Sequence, residues 1–220
     1  MSFQDWVFDL DNTLYPASSS LFPQIDRRMK QFISQRLKLD LEAAHRLQKQ
    51  YYRDYGTTLR GLMQLHGLAP DEFLEFVHDI DCSVLAPSPR LDAALARLPG
   101  RKLIFTNGSA RHAENVLGQL GIARHFQAVF DIKSADYLPK PSIETYRLLL
   151  QKFAIAAERS VMIEDLARNL PAAAQLGMTT VWVRQDDHPD GEQVDEATLS
   201  SIHHVTDDLP AWLESHRGPA

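Results

Sequence analysis

The chain has 220 residues, 44% hydrophobic and 24% charged, which suits one large domain or a core carrying a smaller insertion and excludes wholesale disorder or a repeat array. Its 23 Lys+Arg against 29 Asp+Glu give a net charge of −6. No global positive field exists to hold a nucleic-acid backbone, so no nucleic-acid polymer is expected as a partner.

Trp6-Val7-Phe8 is an aromatic and β-branched run that stops abruptly at Asp9-Leu10-Asp11-Asn12-Thr13, as a buried strand entering a polar loop would. From Pro16 to about Pro89 the pattern turns helical. Ile25, Met29, Phe32, Ile33 and Leu37 recur at helical spacing, as do Leu41, Ala44, Leu47 and Tyr51. A third helical segment spans Leu59 to His66, and a fourth carries Phe73, Val77 and Ile80 before Pro87-Ser88-Pro89 stiffens the chain. Beyond that point strands and helices alternate. Lys102 to Phe105, Ala128 to Phe130, Val161 to Ile163 and Thr179 to Val183 read as strands. Arg111 to Leu120, ended by Gly121, a stretch after a Ser142 N-cap, and Ala172 to Leu176 read as helices. Segment 185–200 reads as a polar surface loop, Ile202 to Val205 as an edge strand, and Thr206 as the cap of a short terminal helix.

This pattern predicts an α/β fold, a doubly wound parallel sheet with an inserted all-helical cap. Residues 1–15 and 90–220 would form the core and 16–89 the cap. The single cysteine, Cys82, cannot form an internal disulfide, and no apolar run approaches the roughly twenty residues that span a bilayer. With no basic segment leading into an apolar one at the N-terminus, the expectation is a cytoplasmic protein without a membrane partner.

If the best strands are parallel, their ends deliver Asp9 and Asp11, Thr106 and Asn107, and Glu164 and Asp165 to one rim, with Lys140 between two of them. A lone acid after a strand is ordinarily a turn or capping residue. Three such ends in one place are harder to explain that way. Carboxylates at Asp9, Asp11 and Asp165 would repel unless a cation neutralised them, and an all-oxygen donor set favours Mg²⁺ over Zn²⁺. Mg²⁺ commonly pairs one or two carboxylates with a substrate phosphate, so a phosphomonoester is the natural guest. An aspartate can act as nucleophile through an aspartyl-phosphate, Thr106 offers a hydroxyl donor, and Lys140 offers positive charge for the phosphoryl oxygens.

In order and spacing, Asp9-Leu10-Asp11-Asn12-Thr13-Leu14, Thr106-Asn107-Gly108, Lys140-Pro141, and Glu164-Asp165 with Asn169 resemble the four motifs of the haloacid dehalogenase superfamily. The resemblance covers nearly the whole chain. It implies a Rossmann-like core with Asp9 as nucleophile and metal ligand, Asp11 as general acid/base lending its backbone carbonyl to the metal, and Asp165 as a metal carboxylate. Thr106, Asn107 and Lys140 would hold the phosphoryl group, and the helical block would close over the substrate and select it. Two departures stand out: Asn169 occupies a position where many relatives carry aspartate, and Glu164 replaces glycine. Together with Tyr15-Pro16, these residues resemble the pyrimidine 5′-nucleotidase branch most closely. The resemblance thus implies a Mg²⁺-dependent phosphatase acting on nucleoside 5′-monophosphates. The alternative is a phosphoglycolate or sugar-phosphate phosphatase. A haloacid dehalogenase is disfavoured because a departing halide needs no acid such as Asp11, and a catalytically idle binding module because Asp9 and its partners are all present. Tyr51, Tyr52 and Tyr55 read as core aromatics and the histidines as surface or packing residues; Arg111 and His112, just beyond Thr106-Asn107-Gly108, read as solvated side chains or as phosphate contacts at a helix N-terminus, with no direct role expected.

Overall fold

A computed structural model describes residues 3–185 and 194–216. Strand β1 (Asp5–Phe8) is followed by four helices, α1 (Phe22–Leu37), α2 (Leu41–Tyr55), α3 (Thr58–His66) and α4 (Pro70–Val77). The chain then alternates: α5 (Pro89–Arg97), β2 (Arg101–Phe105), α6 (Ala110–Leu120), β3 (Ala128–Phe130), α7 (Ile143–Phe153), β4 (Ser160–Glu164), α8 (Leu170–Gln175) and β5 (Thr179–Val183). It ends in α9 (Glu196–Ser200), β6 (His204–Thr206) and α10 (Leu209–Glu214).

The six strands form one sheet in the order β3-β2-β1-β4-β5-β6, every pair parallel. Successive side chains of a strand point to opposite faces. Trp6 and Phe8 therefore join Ile104, Ile163 and Val181 on one face, covered by α5, α6 and α10, while Val7 joins Leu103, Phe105 and Met162 on the other, under α7 and α8. Apolar burial on both faces is why these strands read as continuous hydrophobic runs. Helices α1 to α4 gather around a third cluster, with Phe32, Tyr51, Leu62 and Phe73 at its centre. Ile132, just past β3, is buried in that cluster and seats the helical layer on the sheet. Among the described residues, no helix is long and apolar enough to cross a membrane.

Four local expectations change. Ile80 lies beyond the end of α4 and packs against the sheet cluster instead. The expected loop 185–200 contains α9, capped by the Asp195 carboxylate, which accepts from the Thr198 amide; its Asp186-to-Gly191 portion lies outside the described residues. The terminal helix is capped by Asp208, accepting from the Ala211 amide, because Thr206 instead turns its hydroxyl to the Asp208 backbone. Ser142 sits at the N-cap of α7, but its side chain makes no capping bond.

Candidate active site

Because β2, β1 and β4 are adjacent and parallel, their carboxyl ends open side by side, where open α/β sheets place ligands. Past β1, the Asp9 amide still donates to the Ile163 carbonyl at 2.9 Å, so the first loop residue keeps strand register and is buried, 7% exposed. The chain then turns through Asn12, which has a left-handed φ of 60°. That turn returns Thr13 to the rim, its Oγ1 lying 3.0 Å from Asp9 Oδ2 and 3.1 Å from Asp165 Oδ1. One hydroxyl proton is thus shared between acids on two strands.

Lys140 reaches the same point from the segment before α7. Its ammonium lies 2.6 Å from Asp9 Oδ1, 2.7 Å from Glu164 Oε2 and 3.0 Å from the Phe105 carbonyl, an acceptor for each of its three protons. Its pKa is raised: burial opposes the charge, and the carboxylates of Asp9 and Glu164 outweigh burial. The acids respond to the same burial. Asp9 is pushed up to about 7 by burial and the nearby Glu164, although Lys140 pulls it down. Glu164 is also pushed to about 7, by burial first and by Asp165 despite Lys140.

Oxygens of Asp9, Glu164 and Asp165 all lie within 4.8 Å of one another. One ammonium faces three buried carboxylates, and the donors are all oxygen. That set fits a hard divalent cation, with the excess negative charge as its attraction. Glu164, expected at the rim but not among the metal ligands, is the third carboxylate of the group.

The Asp11 carboxylate points elsewhere. Its Oδ1 accepts from the Tyr15 hydroxyl at 2.6 Å and from His112 Nε2 at 2.8 Å. Burial alone would raise its pKa, but His112 and the two hydrogen bonds hold it below the usual carboxylate value. His112, for which solvation or a phosphate contact was expected, is 1% exposed on α6 and is the main partner of Asp11. Its ring stacks on His78 at 4.4 Å and 10°, and His78 Nδ1 lies 3.0 Å from Ser109 Oγ. Burial first, then His112, lowers the His78 pKa to about 3, so that ring is neutral.

Thr106 Oγ1 accepts from the Gly108 amide at 2.9 Å. Asn107 braces the Lys140 backbone, accepting from its amide at 2.9 Å and donating to its carbonyl at 3.4 Å. Asn169 is buried, and its carbonyl accepts from the Tyr146 hydroxyl at 2.5 Å. All three line one cavity of about 160 Å³ with Asp9, Asp11, Lys140, Glu164 and Asp165, roofed by α1, α2, α3 and α4. Tyr51 and Tyr55 pack edge to face, as expected of core aromatics, whereas Tyr52 lines the cavity beneath the Arg168 guanidinium, 4.2 Å from its ring.

A sheet of this order, with carboxylates gathered at the ends of two central strands beneath a helical insertion, defines an α/β enzyme core. The chain belongs to the haloacid dehalogenase-like hydrolases, whose family model matches residues 7–177. It is 28% identical over 191 residues to phosphate metabolism protein 8 of Saccharomyces cerevisiae, covering 79% of this chain but only 59% of the yeast protein. It is also 28% identical over 226 residues to the glyceraldehyde 3-phosphate phosphatase of Methanocaldococcus jannaschii, covering 91% of this chain and 94% of that one. Among solved structures, the HAD-hydrolase YfnB of Bacillus subtilis superposes with a TM-score of 0.62 at 14% identity over 98% of this chain and 99% of that one, a likeness of fold.

Proposed function

We propose that this hydrolase is a Mg²⁺-dependent phosphatase of small sugar phosphates, acting through an aspartyl-phosphate on Asp9. The observation that carries the reading is the Asp9 carboxylate held against Lys140 at 2.6 Å within a buried acidic group. In the first step an Asp9 oxygen bonds to phosphorus as the phosphorus–oxygen ester bond breaks, and Asp11 protonates the departing alkoxide. In the second step Asp11 takes a proton from the water that attacks the acyl phosphate, which frees phosphate and restores Asp9. Hydrogen bonds from His112 and Tyr15 favour the charged form of Asp11, which suits the second step better than the first. Lys140, with Thr106 and Asn107 at the rim, balances charge on the phosphoryl oxygens. Mg²⁺, held by the carboxylates of Asp9 and Asp165 and the Asp11 carbonyl, would supply neutralisation of the phosphoryl charge. Residues 16–89 act as the cap in this reading.

The nucleoside monophosphate expected from the nucleotidase resemblance gives way to the sugar-phosphate alternative. The archaeal relative aligned over most of both chains is named for a triose phosphate. A space of about 160 Å³ is below the ~300–1,000 Å³ of pockets for drug-sized ligands and suits a leaving group of few carbons. The Tyr52 ring is covered by Arg168, which removes a face for stacking a base. A phosphate-release panel of glyceraldehyde 3-phosphate, phosphoglycolate, UMP and CMP, with Asp9→Asn as background, tests the assignment. The triose phosphate should show the highest kcat/KM. A higher value for UMP or CMP would return the enzyme to the nucleotidases.

A further inference from the structure

Helix α2 buries Ala44, Gln48 and Tyr51 along one side. Helical spacing calls for hydrocarbon along such a stripe. Gln48 instead places an amide there, 3% exposed. A buried amide is costly unless both ends are hydrogen-bonded. Its Nε2 is satisfied by Asp26 Oδ1 at 2.8 Å, and Lys49 Nζ lies 3.3 Å from the same oxygen. Its Oε1 has no hydrogen-bond partner. Rotating the amide would set its oxygen against the Asp26 carboxylate, so the unpaired end is the acceptor. Asp26, Gln48 and Lys49 line the cavity that holds Asp9 and Lys140, among hydrocarbon neighbours such as Ile25 and Phe73.

We propose that Gln48 is a specificity residue, its Oε1 accepting a hydrogen bond from a hydroxyl of the leaving group, so that the substrates are phosphomonoesters of small polyhydroxy compounds. The inference rests on the phosphatase reading and narrows it. A polar group buried in the cap wall contributes only when a ligand donor completes it, and an ester without that hydroxyl leaves it unsatisfied.

The test compares kcat/KM for glycerol 3-phosphate and for propyl phosphate, which lacks both hydroxyls, using p-nitrophenyl phosphate as a general reporter. The wild-type chain should prefer the glycerol ester by about tenfold or more, the size of one well-made neutral hydrogen bond. Gln48→Met, similar in length but without the carbonyl, should bring the ratio to within about threefold of one. Gln48→Asn keeps an amide but withdraws it by a methylene; it should also lower the ratio, and it serves if Gln48→Met does not fold. Each ratio is taken within one enzyme, so a general loss of turnover cancels. A wild-type ratio near one, or a variant that keeps the full preference, overturns the role of Gln48 while hydrolysis of p-nitrophenyl phosphate leaves the phosphatase reading standing. No turnover of any of the three esters overturns both.

Discussion

His112 on α6 donates from Nε2 to Asp11 Oδ1 across 2.8 Å, joining the helix that follows β2 to the loop that follows β1. The bond fixes the direction of Asp11 and holds it charged. Replacement by alanine removes both effects. His112→Ala should lower kcat by about tenfold or more, part of the ~10²–10⁴ that a positioned acid or base contributes. The pKa of Asp11 should rise with its partner gone, moving the acid limb of the pH–kcat profile upward. An unchanged limb with reduced kcat would mean that the histidine supports only packing.

Lys140 compensates Asp9 and Glu164 in a buried setting. Lys140→Met leaves two carboxylates without their counter-ion, and breaking a buried pair from one side costs about 3–5 kcal/mol. Both acids have values of about 7 and can take up protons instead. The loss in urea unfolding should therefore be large at pH 8 and much smaller at pH 5. Equal losses at the two pH values would show that the penalty is not electrostatic.

The same raised values give a sign for metal and pH together. Asp9 and Glu164 have folded values of about 7 against 3.8 and 4.5 unperturbed, so their contribution to stability is fully present below about 4 and is lost as pH rises toward 7. His78 works oppositely, losing stability as pH falls from 6.5 to about 3, but it cancels from a comparison made at one pH. The rise in Tm produced by saturating Mg²⁺ should thus be greater at pH 8 than at pH 5, and EDTA should reverse it and stop turnover. A Tm increment independent of pH would remove the acidic group from the cation's site.

In the helical layer, α3 meets α2 at Gly61, where an added Cβ would lie 2.5 Å from the Tyr51 ring. Gly61→Ala should cost about 1–3 kcal/mol in chemical denaturation, the usual penalty for overpacking. A neutral result would mean that the two helices slide apart without loss.

Much of the fold was legible because the central strands are short apolar runs bounded by turn residues, whereas β6, the exposed His204–Thr206 at the sheet edge, carries a much weaker signal. The strand-end acids were legible too, since Asp9 and Asp165 follow immediately on β1 and β4, Glu164 ends β4, and Asp11 lies two residues beyond Asp9. What escaped the sequence were relations between elements. His112 is 101 residues from Asp11, and its place just beyond Thr106-Asn107-Gly108 points toward phosphate rather than toward that carboxylate. Thr13 bridges to Asp165 across 152 residues. Cap assignments failed where two polar candidates stood close together, as Thr206 and Asp208 do, because either can cap and only the path of the backbone chooses.

Strands β1 and β2 are hydrogen-bonded neighbours, yet the whole four-helix excursion, followed by α5, is inserted in the crossover between them. Its two feet therefore stand side by side on an unbroken foundation. On the proposed reading, a different excursion grafted between the same feet would alter what the enzyme recognises while the ladder beneath, and the aspartate at its tip, remain as they are.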